Sequence, residues 1–221
     1  MRHWSVPEPL ILHVEASWSS PWVCSVYFAL RDKQLPFTTS MAMTRYGTGL
    51  IGEMRGRTLT GSAPVLQHGA FWLAESLPII EYLEEMFPAP SVFPTDPRDR
   101  ARTRQLMMWL RIEHAALQRE RPTERIFYPG APAPPAMSPE AQRSADDLVR
   151  VIGQLCSARP TGPIFGDRFG VVDVELGFAL MRLIATHEPV PDELAAYAAA
   201  VWAHPWLREF AEHRRPPNPP W

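Results

Sequence analysis

Serines are concentrated where a short apolar segment gives way to a helical one, and these side chains could carry chemistry. Ser17, Ser19 and Ser20 precede Pro21, which opens a periodic apolar stretch. A serine caps the orphan amides at a helix start, and a proline fits the first turn. The amides and the helix dipole at such an end stabilise an anion, and a serine hydroxyl there can donate to a bound thiolate.

The energy that a thiolate needs at this turn is within reach of such groups. Lowering the pKa of a thiol by about two pH units requires roughly 2.7 kcal/mol of preference for the thiolate. A hydrogen bond to a charged group supplies about 1.5–3 kcal/mol. A single serine hydroxyl therefore has the right strength for the task.

Two further motifs suit the recognition of a peptide-like ligand. Pro64 follows Ala63 at the entry to a predicted strand, and a cis bond there would turn the backbone N–H and C=O of Val65 outward to pair with a ligand backbone. Glu75 and Ser76 stand at the next predicted helix start. There the serine and the helix amides can hold a carboxylate, and the glutamate can hold an ammonium.

The elements that position these residues follow from the apolar pattern. We predict strands over 10–14 and 36–43, a hairpin over 64–73 with its turn at His68–Gly69, and helices from Pro21 to about Lys33 and from Leu77 to Phe87. Residues 44–62 lack a clear period and are predicted to form a loop with at most a short helix. The predicted order is β-α-β-α(weak)-β-β-α.

Prolines between residues 88 and 97 predict a linker, and the pattern beyond it is helical. We expect helices over about 98–118, 139–156 and 172–185, two shorter helical pieces in the tail, and an extended proline-rich end.

Composition excludes several classes of protein. The chain has 221 residues, 46% of them hydrophobic, and a net charge of −2, so nothing in its overall charge favours nucleic acid or an anionic membrane. Two cysteines, Cys24 and Cys156, form no disulfide framework, and the scattered histidines suggest no metal site. Without a signal peptide or a long apolar run, we expect a cytoplasmic protein with no membrane segment.

These motifs in this order resemble the glutathione S-transferases over nearly the whole chain. The resemblance rests on Ser-Pro after the first strand, Ala-Pro-Val-Leu before the hairpin, the run Glu-Ser-Leu-Pro-Ile-Ile-Glu-Tyr-Leu-Glu, the proline-rich linker and the helices beyond. Arginine-rich segments over 100–111 and 119–127 look like the bacterial YfcF-type transferases. The family implies a thioredoxin-like glutathione-binding domain (1–88), a linker (89–96), an all-helical domain that lines the second-substrate site (97–221), and a homodimer.

The resemblance also implies roles for individual residues. Ser20, with Ser19 and Ser17 as alternatives, would activate the glutathione thiol. Pro64 matches the family's cis-proline, Val65 the residue that pairs with the cysteinyl unit, and Glu75 and Ser76 the pair that binds the γ-glutamyl group. Asp173 resembles the aspartate of a helix-capping motif, although Gly170 stands where serine or threonine is usual. The residues just before Ala63-Pro64 lack the basic residue often seen there in the family, so the partner of the glycyl carboxylate stays open among Arg45, Arg55 and Arg57.

The function implied is a detoxifying glutathione transferase with glutathione as co-substrate and no metal. Its thiolate would attack a small apolar electrophile by conjugation, or reduce an organic hydroperoxide as a peroxidase. The alternatives are a non-catalytic binding or scaffold protein of the same fold, and a thiol reductase that uses Cys24. Cys24 is otherwise interpreted as a buried structural residue. Trp22, Trp18 and Trp109 are expected in the second-substrate pocket. The alternatives are the core or a dimer interface for Trp22, and the core for Trp109.

Overall fold

A four-stranded mixed sheet carries the first part of the chain. The computed structural model describes residues 8–42, 54, 56–157, 159 and 161–217. The strands are β1 (Leu10–Glu15), β2 (Phe37–Ala42), β3 (Val65–His68) and β4 (Phe71–Ala74), in the order β2-β1-β3-β4. β1 runs parallel to β2 and antiparallel to β3, and β3 runs antiparallel to β4. Residues 43–53, most of the predicted loop over 44–62, lie outside the described residues.

Two helices belong to this sheet. α1 (Pro21–Asp32) connects the parallel pair β1 and β2, as such a pair requires, and α2 (Ser76–Met86) follows the hairpin. The hairpin turn lies at Gly69–Ala70 instead of His68–Gly69, and Gly69 supplies the positive φ of 58° there. The end of β1 and the starts of α1, β3 and α2 therefore carry the predicted functional residues.

Helices make up the second part of the chain. They are α3 (Pro97–Ile112), α4 (Ala115–Glu120), α5 (Glu124–Phe127), α6 (Pro139–Cys156), α7 (Val171–Ile184), α8 (Asp192–Trp202) and α9 (Pro205–Glu212). In the part of the chain that the structure describes, none of them is both long and apolar enough to span a bilayer. α7 packs against α1, and one apolar core runs through both parts.

The long helix expected over 98–118 is interrupted between α3 and α4. Ile112 ends α3, and α4 begins at Ala115 after a turn at His114. The break frees carbonyl groups that would otherwise accept helical hydrogen bonds. Gln118 donates to the carbonyl of Leu110 at 2.8 Å, which compensates one of them. Periodicity did not reveal this break because the apolar spacing continues across it.

The start of α7 explains why glycine replaces serine or threonine in the capping motif. Asp173 accepts hydrogen bonds from the amides of Gly170 (2.8 Å) and Ile164 (2.9 Å) and from the hydroxyl of Tyr197 (2.8 Å). A Cβ atom at Gly170 would lie 2.9 Å from the carbonyl oxygen of Val92. Close packing against the linker therefore requires glycine, and Asp173 supplies the cap.

The only lysine of the chain holds the linker in place. The Lys33 Nζ donates to the carbonyls of Phe87 (2.7 Å) and Pro90 (2.9 Å) and lies 2.5 Å from a carboxylate oxygen of Glu84. Its side chain is 0% exposed. A buried ammonium needs such compensation, so this contact ties α1 to the segment that leads into the helical part.

Candidate functional site

The serine turn between β1 and α1 is held by a carboxylate from the end of β1. The Glu15 Oε1 atom accepts from the backbone amides of both Ser19 and Ser20 at 2.7 Å. Burial raises the pKa of Glu15, and these backbone hydrogen bonds oppose that rise. We predicted that amides at the start of α1 would stabilise a thiolate. The amides of Ser19 and Ser20 instead donate to the Glu15 side chain.

Ser20 keeps a hydroxyl proton that it can donate. Its Oγ accepts from the amide of Val23 at 3.4 Å, as an N-cap does, and its side chain is partly exposed. Ser17 and Ser19 hydrogen-bond each other through their hydroxyls at 2.8 Å, and Ser19 is 2% exposed. All three serines line a cavity of about 340 Å³. Of the three, Ser20 is the one best placed to donate to a ligand in that cavity.

Cys24 lies beneath this turn and does not face the cavity. It is free and 1% exposed. Burial, together with the charge of Glu15, raises the pKa of its thiol well above the usual value. A buried thiol with a raised pKa is a poor nucleophile, which favours the structural interpretation of Cys24.

The entry to β3 forms the neighbouring wall. The Ala63–Pro64 peptide bond is cis, as predicted. Val65 begins β3 and lies opposite His13 of β1 and Ala74 of β4, with its side chain buried in a small cluster. Pro64 lines a second cavity of about 230 Å³.

Glu75 and Ser76 lie on the far side of this second cavity. Glu75 is exposed and has a φ of 72°, a region that residues other than glycine rarely adopt. Ser76 begins α2, is 4% exposed, and accepts a hydrogen bond from the Arg111 Nη2 at 2.7 Å. Because that bond uses an oxygen lone pair, the Ser76 proton is left to donate to a carboxylate.

Arg111 and Glu175 form a buried ion pair behind Ser76. Two nitrogens of the guanidinium meet the two carboxylate oxygens, each at 2.7 Å, and the same guanidinium lies 4.2 Å from the centre of the Trp22 ring. The Glu175 side chain is 0% exposed and that of Arg111 is 19% exposed. Burial raises the pKa of Glu175, while the charge and hydrogen bonds of Arg111 oppose the rise.

The sequence analysis did not assign a role to this pair, yet it contained a signal. Glu175 lies in the mostly apolar helix α7, and charged residues are almost never fully buried unless they are paired. Its partner was not identifiable, because Arg111 is one of many arginines and lies 64 positions away.

The two cavities are adjacent and share part of their lining. Trp22, Ala63 and Gln118 line both. The result is a cleft in which the three serines line one cavity and Glu75 and Ser76 line the other. Clefts of a few hundred Å³ with a few convergent polar groups are typical of small-molecule sites.

The three tryptophans expected in the second-substrate pocket separate. Trp22 lines both cavities. Trp18 is 3% exposed, and its ring stacks on His213 with centroids 3.7 Å apart, so it belongs to the core rather than the cleft. Trp18 also has a φ of 45°, which is unusual for a residue other than glycine. Trp109 is partly buried and packs edge-on against His114.

The candidates for the glycyl carboxylate fall mostly outside the described residues. Arg45 and Arg55 lie there. Arg57 is exposed, with its guanidinium 4.8 Å from the centre of the Trp72 ring. Among the residues that the structure describes, no group of three or more potential ligands could hold a metal ion.

Comparison with known proteins identifies the family. Residues 16–91 match the glutathione S-transferase N-terminal domain, and residues 96–213 match the glutathione S-transferase C-terminal domain. The chain belongs to the glutathione S-transferase family. Its predicted fold, a thioredoxin-like domain followed by a helical domain, is confirmed by these matches and by solved structures.

Relatives of this chain occur in plants and bacteria. A probable glutathione S-transferase from Nicotiana tabacum is 26% identical over 158 residues, which cover 71% of this chain and 64% of the tobacco protein. A glutathione transferase from Zea mays is 28% identical, and the alignment covers 79% of this chain and 78% of the maize protein. A Burkholderia glutathione transferase homologue, solved with bound glutathione, has a TM-score of 0.72, 29% identity, and coverage of 92% of this chain and 96% of its own.

Proposed function

We propose that the protein is a glutathione transferase that binds glutathione along this cleft and uses the Ser20 hydroxyl to stabilise its thiolate. The observation that carries the proposal is the cleft itself. Ser20 presents a hydroxyl to one cavity, while Glu75 and Ser76, which suit an amino-acid head group, line the other together with Pro64. The glutathione-bound Burkholderia homologue supports the choice of ligand.

In the proposed mechanism, the γ-glutamyl carboxylate accepts from the Ser76 hydroxyl, and Glu75 receives the γ-glutamyl ammonium. The backbone of Val65 pairs with the cysteinyl unit. The glutathione thiol releases its proton to solvent, and the thiolate accepts a hydrogen bond from Ser20. Because Glu15 occupies the amides of Ser19 and Ser20, the hydroxyl rather than those amides stabilises the sulfur.

Two reactions suit such a thiolate. In conjugation, the sulfur bonds to an electrophilic carbon and the leaving group departs with its electron pair. In peroxide reduction, the sulfur bonds to one oxygen of a hydroperoxide, the O–O bond breaks, and the alkoxide takes a proton from solvent. We infer a small, apolar second substrate because the Trp22 ring forms a wall at the serine end of the cleft.

Calorimetric titration with glutathione tests the binding step. We expect micromolar to millimolar affinity, weakened by about tenfold or more in Ser76→Ala, because a hydrogen bond to a charged group is worth about 1.5–3 kcal/mol. Ser157→Ala is the matched control, since Ser157 is exposed at the end of α6 and should leave the affinity unchanged. Absence of binding by the unaltered protein would overturn the proposal.

Turnover separates the transferase from a binding protein of the same fold. We expect glutathione-dependent loss of chlorodinitrobenzene or cumene hydroperoxide, reduced at least tenfold in Ser20→Ala. Tight binding of glutathione without turnover of any electrophile or hydroperoxide would favour the non-catalytic alternative.

We also propose that the protein forms a homodimer, lies in the cytoplasm and belongs to the YfcF-type subfamily. For dimerisation, the exposed side chains of Met108 (42%) and Ile112 (61%) offer one apolar face of α3. Light scattering should give a dimer mass that Ile112→Glu reduces to the monomer, because a buried charge at an interface is costly. An unchanged mass in that variant would place the interface elsewhere.

A further inference from the structure

The C-terminal segment packs against the back of the serine turn. The Arg215 Nη2 donates to the carbonyl of Trp18 at 2.9 Å, across 197 positions of sequence. The same guanidinium donates to the carbonyls of Phe210 (3.1 Å) and His213 (2.9 Å), and it lies 3.8 Å from the centre of the Phe127 ring. Arg215 therefore connects the segment after α9 to the turn that carries Ser17, Ser19 and Ser20.

Trp18 is fixed from both its backbone and its side chain. Its φ of 45° places it in a region that costs an L-residue energy unless the surroundings enforce it. The ring stacks on His213 and meets Phe210 and Tyr27 edge-on, and the carbonyl accepts from Arg215. These contacts stabilise the unusual backbone conformation of Trp18, and most of them come from the last described residues of the chain.

Glu15 holds the other end of the same turn. Its Oε1 binds the amides of Ser19 and Ser20, whereas its Oε2 is buried and has no hydrogen-bond partner among the described residues. The Nε of Arg215 is also buried and without a hydrogen-bond partner in the described structure. The two groups have opposite charges, and both are desolvated. Burial lowers the pKa of Arg215, and the charge of Glu15 opposes that lowering, so each charge reduces the cost of burying the other.

We propose that Glu15 and Arg215 are positioning residues that clamp the serine turn, so that the Ser20 hydroxyl is directed at the glutathione sulfur. The inference rests on the proposed glutathione-binding function. It assigns to a residue that follows α9 a task in the chemistry of the turn before α1. Neither side chain needs to touch glutathione for this role.

The clamp predicts a defect confined to the sulfur end of the ligand. In Arg215→Met, the thiolate fraction of bound glutathione and the kcat of conjugation should fall about tenfold. This is the effect expected from loss of the hydrogen bond between the Ser20 hydroxyl and the thiolate. The affinity for S-methylglutathione, which has no ionisable thiol, should stay within about twofold, because its head group binds at Glu75 and Ser76. Arg215→Lys, which keeps the charge and a donor, should recover part of kcat.

Matched controls distinguish the clamp from a general loss of stability. Arg214→Met removes an exposed arginine next to Arg215 and should change none of these quantities. Glu15→Gln keeps the acceptor oxygen and should retain more kcat than Glu15→Leu, which removes it. Equal losses of affinity for glutathione and S-methylglutathione in Arg215→Met would assign Arg215 a merely structural role and overturn the proposal.

Amide hydrogen exchange tests the clamp without any ligand. The Ser19 and Ser20 amides should exchange at least tenfold faster in Glu15→Leu and in Arg215→Met than in Arg214→Met. Unchanged exchange in the first two variants would overturn the proposal even if both variants lost activity. Faster exchange in a protein that binds no glutathione would support the clamp and refute the transferase function instead.

Discussion

Removal of Arg111 should destabilise the protein strongly and in a pH-dependent way. Arg111→Met leaves Glu175, whose side chain is 0% exposed, without its ion-pair partner. The substitution removes the two hydrogen bonds of 2.7 Å between Arg111 and Glu175. Each of them is worth about 1.5–3 kcal/mol because it involves charged groups. The 19% exposure of Arg111 lowers this sum through solvent screening, and we expect a loss of about 3–5 kcal/mol near neutral pH.

Acid should relieve this loss. In the variant, burial acts on Glu175 without the opposing effect of Arg111, so its pKa in the folded protein is raised above the usual value of 4.5. A carboxyl with a raised folded pKa holds its proton more tightly in the folded state. Stability therefore falls as pH rises through and above the unfolded pKa, and it recovers as pH falls toward that value.

Urea unfolding of both proteins from acid to neutral pH measures the effect. The double variant Arg111→Met/Glu175→Leu is the control and should regain most of the lost stability, because a buried ion pair often exchanges for apolar residues at little cost. A loss below about 1 kcal/mol in Arg111→Met, or a loss that grows toward acid pH, would refute the reasoning.

Three smaller perturbations follow from the same structure. Gly170→Ala should lower the free energy of unfolding by about 1–3 kcal/mol in thermal or urea denaturation, since its Cβ would meet the carbonyl of Val92 at 2.9 Å; a neutral result would contradict the packing argument. For Glu84, burial acts to raise the pKa, but hydrogen bonds from Lys33, Ser91 and the Val92 amide outweigh it and the pKa lies below 4.5. The stability difference between the protein and Glu84→Gln should therefore be present at neutral pH and disappear as pH falls below about 4.5; urea unfolding that shows it growing in acid would reverse the assignment. Cys24 should react with maleimide far more slowly in the folded than in the unfolded protein, and rapid labelling of the native state, read by mass spectrometry, would restore the redox interpretation.

Sequence patterns predicted the structure correctly where the local conformation depends on a few neighbouring residues. Ser20 caps α1, the Ala63–Pro64 bond is cis, and Glu75 and Ser76 stand at the start of α2. Capping, proline geometry and apolar period depend on neighbours within a few residues, so they can be recognised in one sequence.

The contacts that complete the site were beyond such reasoning. Arg111 meets Ser76 across 35 positions, and Arg215 meets Trp18 across 197. Periodicity predicts which face of a helix is buried but not which helix covers it. Trp18 shows the same limit, because its ring packs on Phe210 and His213 from the far end of the sequence and is a core residue rather than a cleft residue.

The thiolate of bound glutathione provides the most direct test of the central claim. Its ultraviolet absorbance can be followed against pH for the protein and for Ser17→Ala, Ser19→Ala and Ser20→Ala. The account predicts a thiol pKa lowered by about two pH units in the unaltered protein, restored to its solution value in Ser20→Ala, and changed less in the other two variants. A thiol that titrates at its solution pKa in the unaltered protein, or a lowered pKa that survives in Ser20→Ala, would contradict it.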